Sequence, residues 1–217
     1  MILTPRFTTR RVLRRVAAAT ALAGFLLLTA CTEQPLPVEA KKDTPKKPAI
    51  PEGAIPALTA YYEVYKSART LAPDLQTASI TGNDVEGVKS EEGKYPQWTI
   101  VFTSLSKMQA YTFVYSTVEK GNLLRGLNNQ GSMRWAGPNQ NAEPFANSDF
   151  SVDSPAAYKT AAEKAKDWLA KNPTKPVTTF ALGHASRFPA PMWFIQWGDK
   201  KNGYAAYVNA ATGALSK

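Results

Sequence analysis

The sequence predicts an α+β fold of two tandem repeats, each a helix packed on a small antiparallel β-sheet, behind an N-terminal leader and a proline-rich tether. Three observations predict it: a helix-spaced apolar stripe followed by strand-like aromatic segments, a second occurrence of that order, and matched spacing between the two. Tyr61 to Trp98 spans 37 residues and Tyr158 to Trp193 spans 35, and each tryptophan stands two residues after a proline, Pro96 and Pro191. Tyr111 to Gly121 is 10 residues and Tyr204 to Gly213 is 9. The chain left after leader and tether, about 160 residues, is long enough to bury a sizeable core.

The first repeat is expected at residues 57–121. Ala57, Tyr61, Val64, Ala68 and Leu71 recur at helical spacing, with Lys66 and Arg69 off that stripe, which predicts a helix over 57–71. Ala72-Pro73-Asp74 ends it. Residues 75–81, 97–103 and 111–115 alternate or are rich in aromatic and β-branched side chains and read as strands, with 105–109 as a turn.

The second repeat, residues 153–217, follows the same order. Ser154 reads as an N-cap with Pro155 at the first helical position. Ala157, Ala161, Ala165, Trp168 and Leu169 form the apolar stripe, and Asn172-Pro173 stops the helix. Strands are expected at 176–182, 192–197 and 204–209, the last two joined by the hairpin loop Asp199-Lys200-Lys201-Asn202-Gly203. Residues 122–152 fit neither repeat. Their glycines and their Asn and Gln predict a long irregular connection, with Trp135, Phe145 and Phe150 docking it on the domain.

The run Tyr207-Val208-Asn209-Ala210-Ala211-Thr212-Gly213-Ala214-Leu215 closes the second repeat. Helix, strand and Trp-centred hairpin ending in such a run resemble the PepSY domain, whose units close with an aromatic strand, Asp-x-x-Thr-Gly and an apolar residue. Thr212 and Gly213 match, while Asn209 stands where Asp is usual. The resemblance covers most of the second repeat and extends loosely to the first, where Thr-Gly is degraded to Lys120-Gly121. It implies an envelope module that binds or inhibits a partner.

Residues 1–15 carry Arg6, Arg10, Arg11, Arg14 and Arg15 and no acid. An apolar run over 16–28 follows, and small residues precede Cys31, the only cysteine. That is the layout of a secretory signal, and the run falls short of the ~20 apolar residues that span a bilayer. Leu28-Thr29-Ala30-Cys31 resembles the lipobox of bacterial lipoproteins. It implies cleavage between Ala30 and Cys31, then diacylglycerol on the Cys31 sulfur with palmitate-type chains, and membrane attachment through them. An uncleaved N-terminal anchor helix is the alternative. Thr9-Arg10-Arg11-Val12-Leu13 also resembles a twin-arginine export signal. Thr32 after the cysteine, in place of Asp, favours the outer over the inner membrane, with the domain facing the periplasm or the cell surface. A lipidated Cys31 leaves the mature chain no thiol for a disulfide.

The net charge of +9 overstates the mature protein, because five arginines lie in the leader and residues 31–217 carry +4. Nucleic-acid binders concentrate a stronger basic face than this, so no nucleic-acid partner is expected. Residues 31–56 hold Pro35, Pro37, Pro45, Pro48, Pro51 and Pro56 among lysines, the composition of a semi-rigid polyproline-type tether.

Catalytic chemistry finds little support. His184 is the only histidine, and His184-Ala185-Ser186 forms no nucleophile elbow. One His and a lipidated Cys cannot assemble a zinc site, and no phosphate-binding glycine pattern occurs. Asp84, Glu86, Glu91 and Glu92 are broken up by Val85, Gly87, Val88 and Lys89, which reads as a solvated loop. No enzyme activity, cofactor or metal is expected. The aromatics are the stronger candidates. Trp193, Ile195 and Trp197 share one side of a strand, Phe194 and Gln196 the other. One reading makes the aromatics core and inter-repeat packing. The other makes an aromatic sheet face a binding surface, with Trp98, Phe102, Trp193, Trp197, Tyr204 and Tyr207 as candidates. The function expected is a membrane-anchored envelope lipoprotein acting as a non-enzymatic protein- or peptide-binding module, of an inhibitory kind included. A structural or assembly accessory of an envelope complex is the alternative.

Overall fold

Apolar side chains at three- and four-residue spacing set two helices against the apolar face of a sheet. The structure is a computed structural model that describes residues 50–216. The leader, Cys31 and most of the tether lie outside the described residues. Helix α1 (Ala57–Ala68) buries Ala57, Ala60, Tyr61, Val64 and Ala68. Helix α2 (Ser154–Lys171) buries Ala157, Ala161 and Ala165, a stripe small enough to bring its backbone close to the strands.

Strands β1 (Gln76–Asn83), β2 (Gln97–Ser104), β3 (Gln109–Ser116), β4 (Gly126–Arg134), β5 (Val177–Gly183), β6 (Met192–Trp197) and β7 (Tyr204–Asn209) form one sheet. Its order is β4-β3-β2-β1-β5-β6-β7, and every neighbouring pair is antiparallel. Three expectations are corrected here. The two small sheets are one, because β1 pairs with β5 through Ser79–Gly183, Ile80–Leu182 and Thr81–Ala181. The connection at 122–152 is not irregular throughout, since it contributes the edge strand β4. The N-cap of α2 is Asp153, not Ser154, and its carboxylate accepts from the Ser154 N–H at 2.7 Å.

The runs α1-β1-β2-β3 and α2-β5-β6-β7 keep a common register. Trp98 faces Tyr115 across β2–β3 as Trp193 faces Val208 across β6–β7. Ile100–Phe113 corresponds to Ile195–Ala206, and Phe102–Tyr111 to Trp197–Tyr204. A bulge between Thr77 and Ser79 on β1 has its counterpart between Val177 and Thr179 on β5. Trp98 Nε1 donates to the Ile55 carbonyl at 2.9 Å and Trp193 Nε1 to the Val152 carbonyl at 2.8 Å, each acceptor two residues ahead of a helix. The helices also share a cap. Asp153 Oδ1 accepts from the Leu58 N–H at 3.0 Å, and Ser154 Oγ from the Ala57 N–H at 2.9 Å.

Both helices lie on one face of the sheet, over Ile80, Trp98, Ile100, Phe102, Phe180, Leu182, Trp193, Ile195 and Trp197, all buried. Trp98 and Trp193 meet edge to face at 6.5 Å, and Phe180 lies against both, so one aromatic cluster bridges the β1–β5 seam. Phe145 and Phe150 from the connection are buried in the same core, while Trp135 is half-buried. The last residues ahead of α1 are fastened down: Arg125 Nη2 donates to the carbonyls of Ile50 at 2.7 Å and Pro51 at 3.1 Å.

Candidate functional site

The tryptophans are core, and this decides where a site can be. Trp98, Phe102 and Trp193 are fully buried and Trp197 is 2% exposed, so four of the six aromatic candidates offer no surface to a partner. Their alternation places them on the helix-covered face, where they exclude water from the core. Tyr204 is half-buried against Trp168 and Trp197 at the edge of that face. Tyr207 alone of the six lies on the opposite face, which no helix covers among the described residues.

On that open face Tyr207 belongs to an aromatic ladder the candidate list lacks. The ring centres of Phe194 on β6 and of Phe188 from the β5–β6 connection each stand 5.0 Å from that of Tyr207. Arg187 lays its guanidinium 4.8 Å from the centre of the Phe188 ring and 5.6 Å from that of Tyr207, close enough for cation–π attraction. Its Nη2 donates to Tyr207 Oη at 3.3 Å.

These groups border a groove of about 450 Å³. Small residues of adjacent strands make its floor: Ala78 and Ser79 of β1, then Ala181 and Gly183 of β5, running to Met192 and Phe194 of β6. Its walls are built from the segment at Asn141 and Ala142 and the stretch from His184 to Phe188. The walls are tied together. The Glu143 N–H donates to the His184 carbonyl at 2.9 Å, and the Ser186 N–H and Oγ both donate to the Gln140 carbonyl. His184 Nε2 donates to the Phe188 carbonyl at 3.1 Å, which turns Nδ1 toward Glu143 Oε2 at 3.6 Å, beyond hydrogen-bond reach. His184 therefore braces a groove wall. Its neighbour Ser186 is exposed and committed to a backbone carbonyl.

No family model matches the chain. No curated protein matches it. Among solved structures it is similar to the crystal structure of a "putative lipoprotein" from Clostridium difficile 630, at 12% identity and a TM-score of 0.42, covering 73% of this chain and 90% of that one.

Elsewhere the titratable groups serve the fold. Burial pushes the Tyr61 phenol up to about 12, and its hydroxyl pairs with Thr77 Oγ1 at 3.0 Å. Burial raises Tyr95 still further. The acids of the β1–β2 loop are dispersed: Asp84 accepts from Ser90, Glu86 pairs with Lys120 and Glu91 with Lys89. Among the described residues no three potential ligands converge as a metal site, and no helix is long and apolar enough to cross a membrane. The sequence reading missed the groove because period-two alternation says which residues share a face, not which face a helix will cover. The available signal was the greater bulk of the Trp193–Ile195–Trp197 side, which suits it to the core and leaves Phe194 outside.

Proposed function

We propose that this chain is an envelope lipoprotein, held in the membrane by acyl chains on Cys31, whose open sheet face binds a protein or peptide without chemical conversion. The observation that carries the binding half is the Phe188–Tyr207–Phe194 ladder over a floor of alanine and glycine. Aromatic rings left out of an otherwise well-filled core, beside an unfilled groove, are the usual anchor of a recognition site. The Leu28-Thr29-Ala30-Cys31 run supports the anchoring half. The common register of the two α-β-β-β runs, with both tryptophans donating to equivalent carbonyls, supports reading them as tandem PepSY-like repeats. In that reading the second repeat carries the site and the first completes the sheet.

Photocrosslinking tests the binding half. Benzoylphenylalanine placed at Asn141, on the groove wall, is expected to give in intact cells a discrete adduct that the same probe at Thr112, on the open face of β3, does not. Identical adducts from both positions, or none from Asn141, would overturn it. For the anchoring half, Cys31→Ser is expected to abolish fatty-acid labelling and to leave the leader uncleaved, and undiminished labelling would overturn that half.

A further inference from the structure

Resting on the groove being a peptide site, we propose a ligand class for it: an extended segment in which an apolar side chain adjoins an aspartate or glutamate, with Arg187 receiving the carboxylate. The groove crosses four neighbouring strands, β1, β5, β6 and β7. At ~4.8 Å per strand this is about 14 Å, the length of roughly four extended residues. Its floor accepts side chains, since a Cβ built on Gly183 would meet nothing within 4 Å. An apolar group seated there lies against Met192 and Phe194.

Charge selects what stands beside that group. Arg187 is exposed and, among the described residues, has no carboxylate within ion-pair distance. Glu143, the acid at this wall, is turned toward His184. Two rings lie against the guanidinium and only one of its donors is spent, on Tyr207 Oη. A planar guanidinium oriented in this way matches a carboxylate fork and loses little freedom on binding one. A side-chain carboxylate fits better than a chain terminus. Terminal carboxylates are captured by free consecutive backbone N–H groups. Here the rim N–H groups of Ala142, Glu143, Ser186 and Phe188 already donate to Asn139, His184, Gln140 and Ala185.

The test is calorimetric titration of the full chain, in detergent micelles, with acetylated and amidated Gly-Phe-Glu-Phe-Gly and its Gln and Lys counterparts. The Glu peptide is expected to bind about tenfold more tightly than the Gln peptide, the margin of a charge-assisted pair. The Lys peptide should bind most weakly, and the Glu margin should shrink in high salt. Arg187→Gln should lower Glu-peptide affinity to the Gln level and leave the Gln peptide unchanged, while Gly183→Leu, which fills the floor, should abolish binding of all three. Equal affinity for Glu and Gln, or an Arg187→Gln variant that weakens every peptide alike, would overturn the acidic assignment and leave the groove standing. So would a peptide whose single carboxylate is its C-terminus binding as well as the Glu peptide. Failure of every peptide to bind, or binding indifferent to Gly183→Leu, would overturn the peptide-site reading itself.

Discussion

At Gln97 and Thr99 on β2 and Val114 on β3, the open face of the first run is largely polar; at the same register positions of the second run stand Met192, Phe194 and Tyr207. The loops differ in the same sense. The β1–β2 connection carries Glu86, Lys89 and Glu91 in surface ion pairs and Asp84 hydrogen-bonded to Ser90, whereas the β5–β6 connection carries Arg187 and Phe188 packed against Tyr207. On the helix-covered face the runs agree down to the tryptophan and its carbonyl acceptor. Core positions are held alike by the demand for dense packing. No helix covers the open face among the described residues, and there the aromatic ladder stands in one run only, the difference on which the proposed binding role rests.

The shared core dominates stability. Trp98→Ala and Trp193→Ala should each destabilise by about 3–5 kcal/mol, the range for truncating a buried tryptophan. Because the two rings touch across the β1–β5 seam, urea unfolding followed by circular dichroism should show one transition for the whole described domain in either variant. Two resolved transitions would mean that the runs fold separately, and the shared-core half of the comparison would fail.

The helix caps of the two runs are unequal. The N-cap of α1 is Pro56, with no side-chain hydrogen bond, while that of α2, Asp153, serves both helices. Asp153→Ala should cost about 1–2 kcal/mol, at the upper end for a single cap, and Pro56→Ala less than about 1 kcal/mol. Equal losses in thermal unfolding would show that the shared cap contributes nothing to α1.

How far these features could be read from sequence follows from how local their causes are. Helix α2 and strands β6 and β7 fall where apolar spacing, Pro155, Asn172-Pro173 and the Asp199–Gly203 turn place them, because those signals act within a few residues. Helix α1 stops at Ala68, a turn before Leu71, and β1 runs on to Asn83. Strand β4 was invisible: an edge strand of Asn, Gln, Gly and Ser, almost wholly exposed, has no buried face to impose alternation. The β1–β5 pairing joins segments about a hundred residues apart, and no local signal records it. In the groove, Tyr207 was a candidate and alternation set Phe194 on the side away from Trp193 and Trp197, but the pairing of the two was not read. Arg187 and Phe188 were not legible, because their meaning comes from a loop folding back over β7.

Exchanging the open faces tests the functional half of the comparison. Phe194→Thr and Thr99→Phe both alter half-buried positions outside the core and should move stability by no more than about 1 kcal/mol. Only Phe194→Thr is expected to remove the adduct captured from Asn141. Loss of that adduct in Thr99→Phe as well would mean that the two faces act together, and that the polar half is part of the site.

The smallest effect concerns the hairpin turns, each pinned by a carboxylate but from different directions. In the first run Asp74 reaches over from the α1–β1 connection and accepts from Ser104 Oγ at 2.6 Å, Ser106 N at 2.7 Å and Ser106 Oγ at 2.8 Å. In the second, Asp199 sits within the turn and accepts from the Lys201 and Asn202 N–H groups, both at 2.8 Å. Hydrogen bonds from Ser104 and Ser106 bring the Asp74 carboxyl down to about 2, and those from Asn202 and Lys201 lower Asp199. A carboxyl whose pKa is lower folded than unfolded stabilises the fold while ionised. That stability is complete above the unfolded value of about 3.9 and is lost as pH falls through the folded value. The melting-temperature deficit of Asp74→Ala should therefore be constant above about pH 5 and narrow toward pH 2. Asp199→Ala should narrow in the same sense from a smaller deficit, because its bonds hold only a local turn whereas those of Asp74 tie a connection to a distant one. A deficit for Asp74→Ala that does not change with pH would mean that the turn needs the side chain's shape and not its charge, and the two runs would then differ in how their hairpins are fixed as well as in what their open faces present.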